Sequence, residues 1–340
     1  MTGFQFLLRR MRFILPGCLI FLVACTPPKP ILITGNTMGT TYSVKVVDPV
    51  DQQKLAASIK GRLAEINDLM STYIPASEIS RINQLAVGDS MPISAENVQM
   101  LELAKTLHRE SAGRFDVTIG PLISLWGFGP DPSRTSVPPE EEIAAAIDHL
   151  GLDGLKVEAG QVTKVHPVEV SFSAIAKGYG VDEIARLVEA AGAANYLVEI
   201  GGELRAKGRN SQDQIWRIGI EKPDVAERSA FTAIPLDGLA MATSGDYRNY
   251  FEVDGIRYSH TLDPTTGYPI THTVASVTVL AETAAIADGY ATAINVMGAE
   301  AGLALANEKN LPVFVILKVN SEFTTRSSQA FEAYMVRHQG

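Results

Sequence analysis

The amino-acid sequence predicts a mixed α+β fold, built from largely antiparallel sheets with flanking helices. Strand patterns arrive in consecutive runs as well as in alternation with helical patterns, which favours α+β over a doubly wound parallel sheet. The 340-residue chain has no internal repeat and no low-complexity tract. A chain of this length can bury a sizeable core, so it does not need disulfides to fold.

The first element has the composition of an export signal. Residues 1–24 carry three arginines and no acidic residue, and end in the apolar run FILPGCLIFLVA. That run is too short for a spanning helix, which needs about 20 apolar residues, but it fits the apolar region of a signal peptide. The ending LVAC resembles a bacterial lipobox with Cys25 as the lipidated residue. An ordinary signal peptide with a chance cysteine is the alternative.

Cleavage before Cys25 would divide the chain into a signal peptide (1–24), a Pro-rich tether (25–34) and a single domain (35–340). It would also remove Cys18, so no internal disulfide could form. Because the signal carries three arginines, its removal would take the formal charge from −9 to −12. An acidic balance of this size argues against nucleic-acid binding and against direct adhesion to anionic lipid.

The elements of the domain follow from hydrophobic period and capping signals. Alternation in TTYSVKVVD predicts a strand, and apolar residues every three or four positions predict helices over Gln52–Met70 and about 95–110. Pro139 begins another helix after a Pro-rich excursion, and one more is expected at about 178–191. The later strand signals are NYLVEI, ELRAKG, IWRIGI, GLAMATSG, YRNYFEVDGIRYSHTL, VASVTVLA and LPVFVIL, with helices expected at about 284–297 and 299–308.

The stretch AAIADGYATAINVMG carries the first chemical candidates. Asp288, Thr292 and Asn295 share one face if the segment is helical. That face either meets water, or the Asp–Thr pair offers two hard oxygens to a cation such as Mg²⁺. The apolar neighbours leave little of the circumference for solvent, but the stretch alone leaves both interpretations open.

Three other segments also have a chemical and a structural interpretation. In VSFSAIAKGYGVD a turn feeds a helix whose free amides and Lys177 suit phosphate, without the residue order of a P-loop; an ordinary capped helix is the alternative. In YSHTLDPTTGYPI, His260 precedes a tight turn and is an acid–base candidate or a structural residue. The segment AGRFDVTIGPLISLWGFGP could wall a flat heteroaromatic ligand or simply pack.

Eight motifs occur in one order along the chain: NTMGTTY, MSTY, AGRFDVTIGPLISLWGFGP, SAIAKGYGVD, GGELRAKG, ATSGDYRNYF, SHTLDPTTGYPI and ADGYATAINVMG. In this order they resemble the ApbE family of FAD:protein FMN transferases. The resemblance runs from about residue 35 to beyond residue 331, and it implies a ligand site in a cleft between two lobes.

The resemblance also implies roles for individual residues. It places a divalent metal on Asp288, Thr292 and the backbone carbonyl of Ala174. The residues that match FAD-site positions are Met38, Tyr73, Arg114, Phe115, Asp116, Ser171, Lys177, His260, Thr261 and Leu262. Ser171 departs from the family pattern, because an Asp-Leu pair often stands where this chain has Ser171 and Phe172. A serine there can hydrogen-bond a ligand but brings no charge.

The implied reaction moves FMN from FAD onto a Thr or Ser hydroxyl of a target protein through a phosphoester bond and releases AMP. Mg²⁺ is the implied cofactor, Asp288 its catalytic ligand, and His260 the first candidate for the proton acceptor. The implied targets are redox subunits of the Nqr or Rnf type with an S/T-G-A-S/T-like motif. The implied location is the periplasmic side of the inner membrane through a lipid anchor, with the outer membrane as the alternative. An FAD pyrophosphatase and a non-catalytic FAD-binding lipoprotein are the rival functions.

Overall fold

The computed structural model describes residues 29–129, 136–223, 230–245, 250–253, 256–320 and 322–338. The predicted signal peptide and Cys25 lie outside this part of the chain. Within the described residues no helix combines the length and the apolar character that crossing a membrane requires.

An eight-stranded sheet is the centre of the molecule. The described strands are β1 (Ile31–Thr37), β2 (Thr40–Val46), β3 (Ser90–Pro92), β4 (Leu155–Glu158), β5 (Gln161–Lys164), β6 (Tyr196–Ile200), β7 (Glu203–Lys207), β8 (Trp216–Glu221), β9 (Ala230–Leu236), β10 (Ala240–Gly245), β11 (Tyr250–Val253), β12 (Ile256–Ser259), β13 (Val274–Ala281), β14 (Val313–Val319) and β15 (Glu322–Ser327). The order in the large sheet is β1-β2-β6-β7-β10-β13-β14-β15, and every neighbouring pair is antiparallel. Smaller sheets are β3-β5-β4 and the hairpins β8-β9 and β11-β12.

The helices in the described residues are α1 (Gln52–Met70), α2 (Glu78–Gln84), α3 (Ala95–Glu110), α4 (Gly120–Leu125), α5 (Glu140–Ile147), α6 (Ala176–Ala190), α7 (Ala284–Met297), α8 (Ala299–Glu308) and α9 (Gln329–Arg337). Side-chain caps begin several of them. Asp51 accepts from the Lys54 amide at the start of α1, and Ser94 accepts from the Asn97 amide at the start of α3. The antiparallel sheets with flanking helices confirm the predicted α+β class. The bounds of α1 and α3 also match their predictions.

Apolar side chains cover both faces of the sheet. On one face α1, α3, α6 and α7 pack in two adjoining clusters that include Val44, Val198 and Val277. On the other face the β8-β9 hairpin and α9 pack against residues such as Leu204 and Met241. Strand β13 is buried along all eight of its residues because it lies between these layers. A strand buried on both faces reads as a mainly apolar run, and VASVTVLA is apolar except at Ser276 and Thr278.

Two predicted boundaries need correction. The predicted tether extended to residue 34, whereas β1 begins at Ile31 and pairs with β2, so the folded domain begins earlier. The cause is the apolar alternation of Ile31 and Ile33, whose inward side chains join the core beside the sheet. Helix α6 begins at Ala176 rather than at Gly178, which places Lys177 in its first turn.

Candidate active site

A cavity of about 750 Å³ lies between the large sheet and the helical segments around α4 and α6. Its wall is built from the start of β2, the segments before α4 and α6, the β6–β7 turn, strands β8, β10 and β13, the segment 260–264 and one face of α7. These pieces come from most of the length of the chain. The predicted residues that line it are Arg114, Phe115, Asp116, Ala174, Lys177, His260, Thr261, Leu262, Asp288 and Thr292.

Helix α7 carries Asp288 and Thr292 to the cavity, and its first turn is held firmly. The Thr283 hydroxyl accepts from the Ile286 amide. The buried carboxylate of Asp182 accepts from the amides of Ala284 (2.9 Å) and Ala285 (3.0 Å). Of the predicted polar stripe, Asp288 and Thr292 line the cavity, and Asn295 is fully buried with its amide donating to the Ser244 hydroxyl. Asp288 is only 4% exposed, although its carboxylate borders the open space.

Glycine allows α6 and α7 to approach closely at this point. A Cβ atom on Gly178 would lie 2.3 Å from the carbonyl oxygen of Ala284, so no larger residue fits without displacing the backbone. The approach lets the Gly178 amide donate to Asp288 Oδ2 (3.2 Å). The first turn of α6 was predicted to present free amides to phosphate, but the Gly178 amide is committed to Asp288.

Two buried carboxylates share one ammonium in the cavity wall. Lys177 Nζ lies 3.1 Å from Glu203 Oε1 and 3.7 Å from Asp288 Oδ2. Burial raises the pKa of Glu203 to about 8, and the neighbouring Asp288 contributes to this rise. Burial also raises the pKa of Asp288. The pKa of Lys177 is raised, because the two carboxylates outweigh the opposing effect of burial. With both carboxylates ionised, the cluster would have one negative charge more than its single cation balances, and burial opposes that state.

The cluster fits a divalent cation, which would supply the missing positive charge. Asp288 and Thr292 offer a carboxylate and a hydroxyl one helical turn apart, and Ala174 lines the same cavity. Among the described residues no group of three His, Cys, Asp or Glu side chains could hold a metal ion by itself. A site with one carboxylate and few protein ligands suits Mg²⁺, which keeps waters and binds substrate phosphates.

Another part of the cavity wall combines an arginine with a rigid turn. Arg114 forms an ion pair with Asp263, and Asp263 Oδ1 accepts from the Thr265 amide (2.9 Å) and the Thr265 hydroxyl (2.7 Å). The Gly267 amide donates to the Asp263 carbonyl (2.8 Å), and Gly267 has a φ of +76°, which closes the predicted tight turn. This turn holds the preceding residues, His260 to Leu262, against the cavity.

The neighbouring residues on this wall are fixed by packing and by local hydrogen bonds. The rings of His260 and Phe128 meet edge to face with their centroids 6.4 Å apart. Leu262 is buried in a small apolar cluster with Trp126. Asp116 Oδ1 accepts from the amide (2.7 Å) and the hydroxyl of Thr118, so this carboxylate mainly holds its own turn. The segment AGRFDVTIGPLISLWGFGP thus both packs and walls the cavity.

Three predicted FAD-site residues do not line the cavity. Tyr73 lies in the turn between α1 and α2 and is 66% exposed. Met38 sits in the two-residue β1–β2 turn with a φ of +50°, and its side chain packs against Gly180. Ser171 is buried, and its hydroxyl donates to Ser173, which itself lines the cavity.

Glu203 and a group of hydroxyls in the cavity wall were not predicted from the sequence. Glu203 directly follows the glycine pair of IGGEL, and its place beside that glycine turn was the available signal. Thr243, Ser244 and Ser276 line the cavity from β10 and β13. The Ser276 hydroxyl is buried without a hydrogen-bond partner among the described residues. Thr243 and Ser244 belong to the motif ATSGDYRNYF, but no pattern marked Ser276, because strand pairing brings it beside them.

Comparison with known proteins agrees with this arrangement. The model of the ApbE family matches residues 38–315. A relative from Vibrio cholerae, named FAD:protein FMN transferase, is 43% identical over 93% of this chain and 96% of its own length. One of the same name from Haemophilus influenzae is 43% identical over 92% of this chain and 93% of its own length.

Solved structures give the same result. The flavin transferase ApbE from Vibrio cholerae superimposes with a TM-score of 0.83 at 42% identity, covering 89% of this chain and 98% of its own. The apo form of the flavinyl transferase ApbE from Pseudomonas stutzeri gives a TM-score of 0.84 at 40% identity, covering 90% and 96%. The same family is indicated by the family model over most of the chain, by relatives above 40% identity and by solved structures that superimpose on about nine-tenths of the chain. This chain belongs to the ApbE family.

Proposed function

We propose that this protein is an enzyme that transfers FMN from FAD onto a Thr or Ser hydroxyl of target proteins. One observation carries the proposal: a large cavity brings Asp288, Thr292 and Lys177 together in a chain whose full-length relatives are named FAD:protein FMN transferase. Lys177 and the divalent-cation site offset the acidic charge of the chain at the point where an anionic dinucleotide would bind.

In the proposed reaction the acceptor hydroxyl oxygen forms a bond to the phosphorus of the FMN half of FAD. The bond from that phosphorus to the bridging oxygen breaks, and AMP leaves with the bridging oxygen. The hydroxyl proton passes to a base, for which His260 is the candidate because it lines the cavity next to Thr261. The product carries FMN through a phosphoester bond, with no net oxidation or reduction.

The residues of the cavity wall have separate tasks in this proposal. Asp288, Thr292 and the carbonyl of Ala174 would hold Mg²⁺, which supplies charge neutralisation for the pyrophosphate and for the leaving group. Lys177 adds a cation on the same side. Arg114, held by Asp263, adds a second cationic side chain to the cavity wall, where it can bind anionic groups of the ligand.

The targets and the location are also part of the proposal. Family resemblance supports redox subunits of the Nqr or Rnf type with an S/T-G-A-S/T-like motif as acceptors. The basic and apolar N-terminal segment with its LVAC ending supports lipidation at Cys25 and a position on the periplasmic side of the inner membrane. A lipid anchor there would keep the enzyme close to acceptors that are themselves in the membrane.

One assay separates this function from its two rivals. The protein is incubated with FAD and Mg²⁺, with and without a purified acceptor domain, and the products are resolved by chromatography and in-gel flavin fluorescence. Transfer gives covalent flavin on the acceptor together with AMP. A pyrophosphatase would release free FMN and AMP without the acceptor, and a storage protein would return intact FAD. Either of the last two results would overturn the proposal.

A further inference from the structure

We propose that Glu203 is a positioning residue that holds the Lys177 ammonium away from Asp288 and so leaves Asp288 open to a divalent cation. This inference rests on the proposed function, because it takes Asp288 as a metal ligand. It assigns a task to a buried carboxylate that neither the sequence analysis nor the proposed reaction uses.

The distances show which carboxylate the lysine prefers. Lys177 Nζ is 3.1 Å from Glu203 Oε1, within hydrogen-bonding distance, and 3.7 Å from Asp288 Oδ2, beyond it. Asp288 Oδ2 accepts instead from the Gly178 amide at 3.2 Å. Lys177 therefore lies between two acceptors and is bound to the one that is not a candidate metal ligand.

The position of Glu203 is built into the β6–β7 turn. Gly201 and Gly202 have φ values of +63° and +110°, a conformation that favours glycine. A Cβ atom on Gly201 would lie 3.3 Å from Lys177 Cδ and 2.8 Å from the Thr40 side chain, so the lysine stem passes close over the glycine. The turn thus leaves room for the stem and places Glu203 at its end.

Glu203 has no other role in the described structure that would explain its burial. It is 4% exposed, and its Oε2 atom has no hydrogen-bond partner among the described residues. A buried carboxylate is costly unless it is paired. Lys177 is the side chain that pairs with it, so the two groups hold each other in place.

Loss of Glu203 should redirect the lysine. Without that carboxylate, the nearest anionic acceptor for the ammonium is Asp288, and the ammonium would compete with a divalent cation for the same oxygen. Removing a negative charge also weakens cation binding directly, whatever the lysine does. The two effects can be separated, because only the first requires Lys177.

The test measures Mn²⁺ binding to the full chain in detergent by electron paramagnetic resonance, so no catalytic turnover is needed. We expect Glu203→Gln to weaken Mn²⁺ binding about tenfold, as for directly coupled neighbouring residues. Lys177→Met should restore about that factor in the Glu203→Gln background but change binding less than about threefold in the wild type. Glu203→Asp keeps the charge but withdraws the carboxylate, so it should also weaken binding.

Glu189→Gln is the matched control. Like Glu203, Glu189 pairs with a lysine: its carboxylate lies 2.9 Å from the ammonium of Lys207 in β7. Unlike Glu203, it does not line the cavity. This variant makes the same change in net charge and should bind Mn²⁺ like the wild type. Circular dichroism and thermal melting of each variant check that the fold is retained.

Three results would overturn the inference. Lys177→Met could change Mn²⁺ affinity by the same factor in both backgrounds, which would mean that Glu203 acts by charge alone. Glu203→Gln and Glu203→Asp could bind Mn²⁺ like the wild type. Asp288→Asn could also bind Mn²⁺ like the wild type, which would overturn the metal site of the proposed function as well. Loss of binding in Asp288→Asn together with additive lysine effects would overturn the positioning role alone.

Discussion

Asp182 lies outside the cavity, yet the structure makes it a support for the candidate metal ligand Asp288. Its buried carboxylate accepts from the Ala284 and Ala285 amides at 2.9 and 3.0 Å and from Arg205 Nη1 at 3.2 Å. Asp182→Ala would leave these donors buried without an acceptor at the start of α7. We expect the variant to be destabilised and to lose activity, because α7 carries the site.

The expected size follows from these contacts. Each buried donor left unsatisfied costs about 1–3 kcal/mol, and breaking a buried ion pair costs about 3–5 kcal/mol. Because the three donors share one carboxylate, the effects overlap, and we expect a loss of about 4 kcal/mol in the free energy of unfolding. For a domain of about 300 residues this corresponds to a fall of about 6 °C in melting temperature.

The assay is thermal unfolding followed by circular dichroism, with Asp48→Ala as the matched control. Asp48 also accepts from two backbone amides, those of Ala194 and Asn195, both at 2.7 Å. Asp48 is only half-buried, so water can replace its contacts, and we expect a loss of about 1 kcal/mol. Equal losses in the two variants, or an Asp182→Ala melting temperature within about 1 °C of the wild type, would refute the reasoning.

The other predictions concern the site and the anchor. Asp288→Asn should abolish Mg²⁺-dependent FMN transfer while the melting temperature is retained, and Thr292→Ala should have a milder effect that excess Mg²⁺ partly rescues. Measuring transfer across a Mg²⁺ titration checks both variants. Near wild-type transfer by Asp288→Asn at low Mg²⁺ would contradict the metal site. Tyr73→Ala should leave stability unchanged, because the residue is exposed. It should weaken FAD binding by about 0.5–1.5 kcal/mol if the ring stacks on the ligand. An unchanged dissociation constant in a fluorescence titration would count against Tyr73 as a flavin contact. Gly178→Ala should destabilise the fold by about 1–3 kcal/mol, since its Cβ would meet the Ala284 carbonyl. An unchanged free energy of unfolding in urea would argue against the close approach of α6 and α7. Cys25→Ser should abolish lipid labelling with radioactive palmitate, and continued labelling would exclude Cys25 as the modified residue.

Local patterns were enough to predict most of the elements. Helix α1 matched its prediction at both ends, because its apolar residues recur at helical spacing and Asp51 caps its first turn. The predicted start of α6 was two residues late, because hydrogen bonds from the Ile175 and Ala176 amides to the Phe172 carbonyl wind the chain before the glycines. The predicted tether was too long for a related reason: Ile31 and Ile33 pair with β2, and pairing partners do not appear in local composition.

The sequence by itself determined the α+β class, the order of the elements and the face of α7 that carries Asp288 and Thr292, since these depend on residues within a few positions of one another. It also carried the ordered motifs from which family membership was inferred. Only the tertiary structure decided that Gly178 meets Asp288 across 110 residues of chain and that Asp182 caps α7 across 102. It also decided that Lys177 pairs with Glu203 and that Tyr73 is exposed and does not line the cavity. The physical reason is that these contacts depend on strand pairing and on the distance between packed helices, which are properties of the whole core and not of any one segment.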